Sequence, residues 1–426
     1  MTVDVAPWLM DSRWPTVPIR YVARLGTGHT PSRQHPEYWE NCTVPWVTLA
    51  DVKQIRDGRT QVISQTEEKI SPLGIANSSA VRHPAGTVIL SRTASVGFSA
   101  ILGANMATSQ DFATWTCSEK IVPKFLLHSL RAMAPDLRRV AMGSTHKTIY
   151  MPEIANLRVA LPPPEEQRRI ANFLDAETAR IDRLVELRNA QNSLLCELLD
   201  AALAKIFDNS RDAVKTRVKF LLREKPRYGV LVPVIADEGV PMIRIMDLAA
   251  LQGGVDLEVL PSSVVRIPRE LSEQYKRTVV REGDVLISVV GTLGRTLVAS
   301  AGLVGSNVNR AIAVLRAKAG VDPHLLAAWV RTSEFSRQAL LATGNDSAQR
   351  TLGMEDLANF EIHWPINMSV QEVAASEVAQ IVSRHIKTKM LLRSQIDLLS
   401  ERRQALITAA VTGQIDVTTS RGTDLP

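Results

Sequence analysis

The chain repeats itself. At an offset of about two hundred residues, Pro45-Trp46-Val47 with Asp51-Val52 is answered by Pro241-Met242-Ile243 with Asp247-Leu248. Gly86-Thr87-Val88-Ile89-Leu90-Ser91 is answered by Gly283-Asp284-Val285-Leu286-Ile287-Ser288, and a matched glycine follows each, Gly97 and Gly294. Further on, Pro123 and Arg131 match Pro323 and Arg331, and Lys147-Thr148-Ile149 matches Arg350-Thr351-Leu352. Asn156, Pro162 and Gln167 match Asn359, Pro365 and Gln371. The matches fall in order, and the offset drifts only as small loop insertions would make it. Such a chain folds as two like domains rather than one.

Each copy closes in a long helical pattern. From Leu161 to Phe207, three prolines (Pro162 to Pro164) stop the preceding segment, and Glu165 and Glu166 put negative charge where a helix start favours it. Apolar residues then recur at helical spacing: Ile170, Phe173, Leu174, Ile181, Leu184, Leu195, Leu198, Ala202, Ile206. A second such stretch runs from Pro365 to about Ala410. About forty residues make a helix of about 60 Å, too long for one globular domain to bury along its whole length. The economical solution is a pair of helices packed as an antiparallel coiled-coil spacer. Strict heptads fail at Arg188 to Asn192 and at His385 to Lys389. The plainer alternative is two separate helices, each covering its own domain. A paired arrangement puts the two domains at opposite ends of a rod, related by an approximate two-fold axis, the symmetry with which duplex DNA is read as half-sites.

Within the first copy, strands are expected at Val44 to Leu49, Thr87 to Leu90 and Phe112 to Thr116. A helix is expected at Lys124 to Val140, with Phe125, Leu126, Leu130 and Leu137 on one face, followed by a Gly/Ser/Thr loop from Met142 to Thr148. The net charge of +6 permits binding to a polyanion without requiring it. Three distant cysteines, Cys42, Cys117 and Cys196, form no CxxC, which suits a reducing cytoplasm. No apolar run is long enough to span a membrane, and no signal peptide is read at the start.

The residues also resemble a known family. LPPPEEQRRIANFLD followed by RIDRLVE is similar to the opening of the central conserved helix of type I restriction–modification specificity subunits. ERRQALITAAVTGQIDV, Glu401 to Val417, resembles the end of their C-terminal conserved region. Gly86 to Gly97 and Gly283 to Gly294 resemble two copies of the strand-and-turn motif of their target recognition domains. The start of the second helix departs from the pattern: Pro365-Ile366-Asn367 stands for the prolines, and Ser369-Val370-Gln371 for Glu-Glu-Gln. The resemblance implies an α+β chain: recognition domain 1 (1–160), central long helix (161–208), recognition domain 2 (209–364), C-terminal long helix (365–417) and a tail (418–426). It implies a non-catalytic, cytoplasmic reader of double-stranded DNA. Its partners would be two modification (methyltransferase) subunits and, for cleavage, restriction subunits. S-adenosylmethionine, ATP and Mg2+ would serve those partners, and this chain would bind no cofactor. Each domain would read half of a bipartite site, with the helices setting the gap.

Motifs for an independent enzyme are missing from the sequence. There is no GxxxxGK[ST] loop and no Asn-Pro-Pro-aromatic run. Gly26-Thr27-Gly28 is expected to be a turn, Glu67-x-Lys69 a solvated face, and His128 and His324 helix-surface residues rather than zinc ligands. A fused enzyme and a pure coiled-coil scaffold are the competing classes. The first lacks these motifs, and the second leaves the basic turns of two duplicated domains unexplained.

DNA contacts are proposed by residue type and place. In the first domain they are Arg92, Thr93 and Ser95 in the turn after a strand, and Thr145, His146 and Lys147 in the following loop. In the second they are Thr292 and Arg295, then Asn345, Gln349 and Arg350, with Arg244 and Asn309 added. Arg33, Arg56 and Arg59, like Arg244 and Asn309, have a weaker case. The alternative for the glycine-flanked turns is that they only cap strands. Arg169, Arg180 and Arg183, on the outer face of the central helix, are candidates for docking modification subunits.

Overall fold

The structure is a computed structural model that describes residues 5–142, 147–208, 213–251, 264–344 and 350–417. Contacts divide the chain into two compact units, Met1–Arg188 with Gln395–Pro426, and Asn189–Ser394.

In the first unit a five-stranded sheet runs in the order Ala23–Thr27, Phe112–Cys117, Val88–Ser91, Ser99–Leu102, Val62–Ile63. A four-stranded sheet runs Glu68–Ile70, Val44–Val47, Met106–Thr108, Arg82–His83. The pairing of Val44–Val47 with Met106–Thr108 is parallel. Val88–Ser91 and Ser99–Leu102 are buried at every position, so they read as apolar runs rather than alternating strands. Thr48 and Asp51 then form a capping box that turns the chain into a short 3-10 helix at Leu49–Gln54. Helix Pro123–Val140 buries Phe125, Leu126, Leu130 and Leu137 against Val88, Leu90 and Trp115.

The second unit repeats this strand order with one strand fewer in each sheet among the described residues. Arg227–Tyr228, Ile312–Leu315, Val285–Ser288 and Thr296–Val298 make one sheet. Arg266–Ile267, Val240–Ile243 and Asn307–Val308 make the other, with the last pair again parallel. The helix after Pro323 differs from its copy. It breaks into Pro323–Trp329 and Ser333–Thr343, because the Thr332 hydroxyl accepts from the Phe335 N–H and starts a new helix there.

The Gly26-Thr27-Gly28 stretch is not a turn. Its first two residues lie in the strand Ala23–Thr27. Gly28 is there because a Cβ would sit 1.8 Å from the Thr108 carbonyl oxygen, and Gly229 in the second copy would meet that of Val308 at 1.9 Å.

The two long helices are Pro164–Asp208 and Met368–Thr412, 45 residues each, or about 68 Å apiece. Neither breaks where its heptads fail. Each is anchored at its start by one buried glutamine. Gln167 donates to the carbonyls of Lys120 and Pro162 at 2.9 and 2.8 Å and accepts from the Val122 N–H at 2.8 Å. Gln371 does the same with Gly320, Pro365 and Asp322, each at 3.0 Å. Asn367 Oδ1 accepts from the N–H and hydroxyl of Ser369, which starts the second helix without the glutamates of the first.

Each domain's core takes both helices, against the alternative of one helix per domain. The first core holds Ile170 and Leu174 from the start of the first helix with Ile407, Ala410 and Val411 from the end of the second. The second core holds Leu203 and Phe207 from the end of the first helix with Val378 from the start of the second. Not all of the expected apolar face is buried: Leu184 and Leu198 are exposed, as are Leu194, Met390 and Leu391.

Candidate nucleic-acid interface

In each unit the same hydrogen bonds gather a strand-end turn, a strand tip and a loop. In the first unit the Ser91 hydroxyl closes the turn by donating to the Ser95 carbonyl, and Gly97 N donates to the Ser91 carbonyl at 3.0 Å. Ala94 N reaches the Lys147 carbonyl at 2.9 Å, Ile149 N reaches that of Arg92 at 2.9 Å, and Arg92 N reaches that of Asp111 at 2.8 Å. The second unit repeats every bond: the Ser288 hydroxyl to the Thr292 carbonyl at 2.6 Å, and Gly294 N to that of Ser288 at 3.0 Å. Gly291 N then reaches the Arg350 carbonyl, Leu352 N that of Val289, and Val289 N that of Ala311, each at 2.8 Å. Ala94 and Gly291 both adopt positive φ, 57° and 71°, a conformation that costs alanine more than glycine.

Several candidates lie where a polyanion could reach them. Lys147, Thr292, Arg295 and Arg350 are exposed, and Thr93 and Ser95 are half-buried beside Lys147. Other candidates are engaged within the protein. Arg92 donates to the Ile149 carbonyl at 3.3 Å, and its Nε is buried with no partner among the described residues. Its counterpart in the second unit is Val289, so its charge is not a shared feature. Arg244 forms a two-pronged pair with Asp247, at 3.1 and 3.2 Å. Asn309 Oδ1 is buried with no partner among the described residues. Arg295 occupies the place of Phe98 rather than of Arg92, since each donates its N–H to the turn serine hydroxyl. Thr145, His146, Asn345 and Gln349 lie outside the described residues.

Of the weaker candidates, Arg33 stacks over Trp39 at 4.7 Å, Arg56 bonds the Ser95 hydroxyl at 3.3 Å, and Arg59 pairs with Glu186. On the first long helix, Arg169 pairs with Glu166 and Arg183 with Glu186, each at 3.2 Å, and Arg180 lies 4.0 Å from Glu177. All three arginines are exposed, which leaves a solvated surface of mixed charge.

His128 is not on a helix surface as expected; it is fully buried. Its Nε2 lies 2.9 Å from Asp175, which also accepts from Lys124 at 2.6 Å and Gln61 at 2.7 Å. Burial pushes the Asp175 carboxyl up, but these three bonds together hold it well below the usual carboxylate range. Burial lowers the His128 imidazole against the opposing pull of Asp175. Arg131 donates to the Thr60 carbonyl at 2.7 Å, and burial, with Arg403 beside it, pushes its guanidinium down to about 10. This buried polar cluster fixes the first domain to the start of the long helix, and its sequence signal is only the helical spacing of Lys124, His128 and Arg131. His324 is exposed, as expected. Among the described residues no three His, Cys, Asp or Glu side chains are grouped to hold a metal ion, and no helix is long and apolar enough to cross a membrane.

Comparison with known proteins matches residues 11–192 to the type I restriction modification DNA specificity domain. The chain is 27% identical over 198 residues to the type I restriction enzyme MjaIX specificity subunit of Methanocaldococcus jannaschii, covering 46% of this chain and 43% of that protein. It is 24% identical over 330 residues to the EcoBI specificity subunit of Escherichia coli, covering 70% of this chain and 66% of that protein. The matched stretches thus span less than two thirds of the length of either relative. Among solved structures, one described under assembly and conformational transition of the type I R-M system aligns over 94% of this chain and 98% of its own, with a TM-score of 0.70 and 20% identity. The HsdS subunit from Thermoanaerobacter tengcongensis covers 94% of this chain and 97% of its own, with a TM-score of 0.50 and 20% identity. Residues 11–192 are thus similar to the type I restriction modification DNA specificity domain, and nearly the whole chain shares the fold of these two solved structures.

Proposed function

We propose that this chain is the DNA-reading, non-catalytic subunit of a type I restriction–modification complex. Each recognition domain reads one half of a bipartite site in double-stranded DNA, and the two long helices set the gap between the halves. Two modification subunits then methylate adenine with S-adenosylmethionine, and restriction subunits using ATP and Mg2+ cut DNA that lacks the mark. The observation that carries this reading is the duplicated surface: one backbone arrangement of turn, tip and loop, built twice, with exposed Lys147 in one copy and Arg350 in the other. A shared backbone with shared charge suits phosphate positioning, while side chains that differ between the copies suit two different half-sites.

The docking surface for the modification subunits is placed on the exposed sides of the long helices. There, Arg169, Arg180 and Arg183 of the first unit add charge.

The test is a gel shift of the full chain co-expressed with its modification subunit. Site-containing duplex should be bound at least roughly a thousandfold more tightly than random duplex at physiological salt. Equal binding to both would reject the reading. Lys147→Ala with Arg350→Ala should weaken binding to all sequences alike and reduce the salt slope by about 2; an unchanged slope removes these two residues from the phosphate contacts.

A further inference from the structure

A fourth segment adjoins each recognition surface, and its chemistry differs between the two copies. After Gly28 the first domain runs His29-Thr30-Pro31-Ser32-Arg33-Gln34-His35. After Gly229 the second runs Val230-Leu231-Val232-Pro233-Val234-Ile235. Both segments are held in place by one device: the glycine lies close against the next strand, and the following N–H donates to the same carbonyl, His29 to Thr108 at 3.0 Å and Val230 to Val308 at 2.8 Å. The polypeptide therefore presents one loop at the same place in both domains. One is polar; the other is apolar and open to solvent, with Val232 74% and Ile235 69% exposed.

We infer that these two loops read bases, Leu231 to Ile235 by apolar contact in one half-site and His29 to His35 by hydrogen bonding in the other. The inference deepens the proposed function and rests on it. Contiguous exposed aliphatic side chains mark a binding surface, and the apolar feature of a base edge in the major groove is the thymine methyl. What surrounds the loop favours a polyanion. Leu231 lines a groove with Arg227, Tyr228, Tyr275, Lys276 and Arg277, of which Lys276 and Arg277 are exposed. Tyr228 Oη donates to the Leu352 carbonyl at 2.7 Å, which joins the groove to the loop carrying Arg350. In the first domain the Thr30 hydroxyl donates to Gln110 Oε1 at 2.6 Å, which joins the polar loop to the strand tip. Gln34 and Gln110 are both exposed and are of the type that pairs with adenine edges.

The test compares the full chain, in complex with its modification subunit, with the variant Val232→Asn/Val234→Asn by selecting bound duplexes from a random pool. The near-isosteric Val232→Thr serves as a second variant should the first fail to fold. The expected result is a change of roughly fivefold or more in preference at one or more base pairs of one half-site, with the other half and the gap unchanged. Gln34→Ala should act on the opposite half. Unchanged preferences in both halves, or a uniform loss of affinity for all sequences, would overturn the assignment. A wild-type complex with no bipartite preference would instead sink the proposed function, so the two failures are distinguishable.

Discussion

At the scale of single residues, the repeat is kept by groups that must be satisfied when buried. Gln167 and Gln371 each complete three hydrogen bonds to backbone at the junction of domain and helix. Replacing Gln167 with alanine leaves one N–H and two carbonyls without that partner, at a cost of about 2–4 kcal/mol. Hydrogen exchange at the Leu126 and Leu130 amides should report the loss in the first unit, with second-unit amides little changed. His128 gives a pH test. Its folded-state pKa lies below the ordinary value because of burial, so the unfolded chain takes up the proton first as pH falls. Stability is therefore lost as pH drops below about 6.5. Asp175 has a depressed value, so its contribution is present above about pH 4 and is lost only as pH falls further. His128→Gln should flatten the unfolding midpoint of the first unit between pH 5 and 7 while leaving the loss below about pH 4; an unchanged slope in the upper window would remove His128 from this role. The sequence matched Gln167 with Gln371 without showing what they do. It misplaced His128, because a charged-residue spacing on an amphipathic helix does not reveal that Asp175 will come from another helix to pair it.

At the scale of elements, periodicity carried most of the information. The long helices were legible nearly to their ends because apolar spacing over forty residues, bounded by proline, leaves few alternatives. The buried strands Ser99–Leu102 and Met106–Thr108 were not, since a short apolar run has no period to read. Nor could a pattern within one helix say which of its apolar residues meet a domain. Leu203 is fully buried, whereas Leu198, on the expected face, is exposed. Shared cores give the helices opposite dependencies. Ile407→Ala should destabilise the first unit and Leu203→Ala the second, each by about 2–4 kcal/mol, as read by native-state hydrogen exchange in the two units. Equal effects on both units from either variant would contradict the assignment of cores.

At the scale of the whole molecule, the internal repeat was the strongest statement the sequence made, and the matching sheet orders with their parallel pairs bear it out. The candidate interface was only partly legible. The turn and loop stood out by their glycines and cations, but Arg92 and Arg244 turned inward to partners far along the chain or on a neighbouring turn. The loops after Gly28 and Gly229 carry no motif and gain meaning only from their shared placement. The central claim is that two like domains with unlike side chains read two different half-sites. Selection of duplexes from a random pool by the complex of the full chain with its modification subunit tests this most directly. Two short, different fixed blocks separated by an unspecified gap of constant length are expected. A single contiguous block, or no preference at all, would contradict the account.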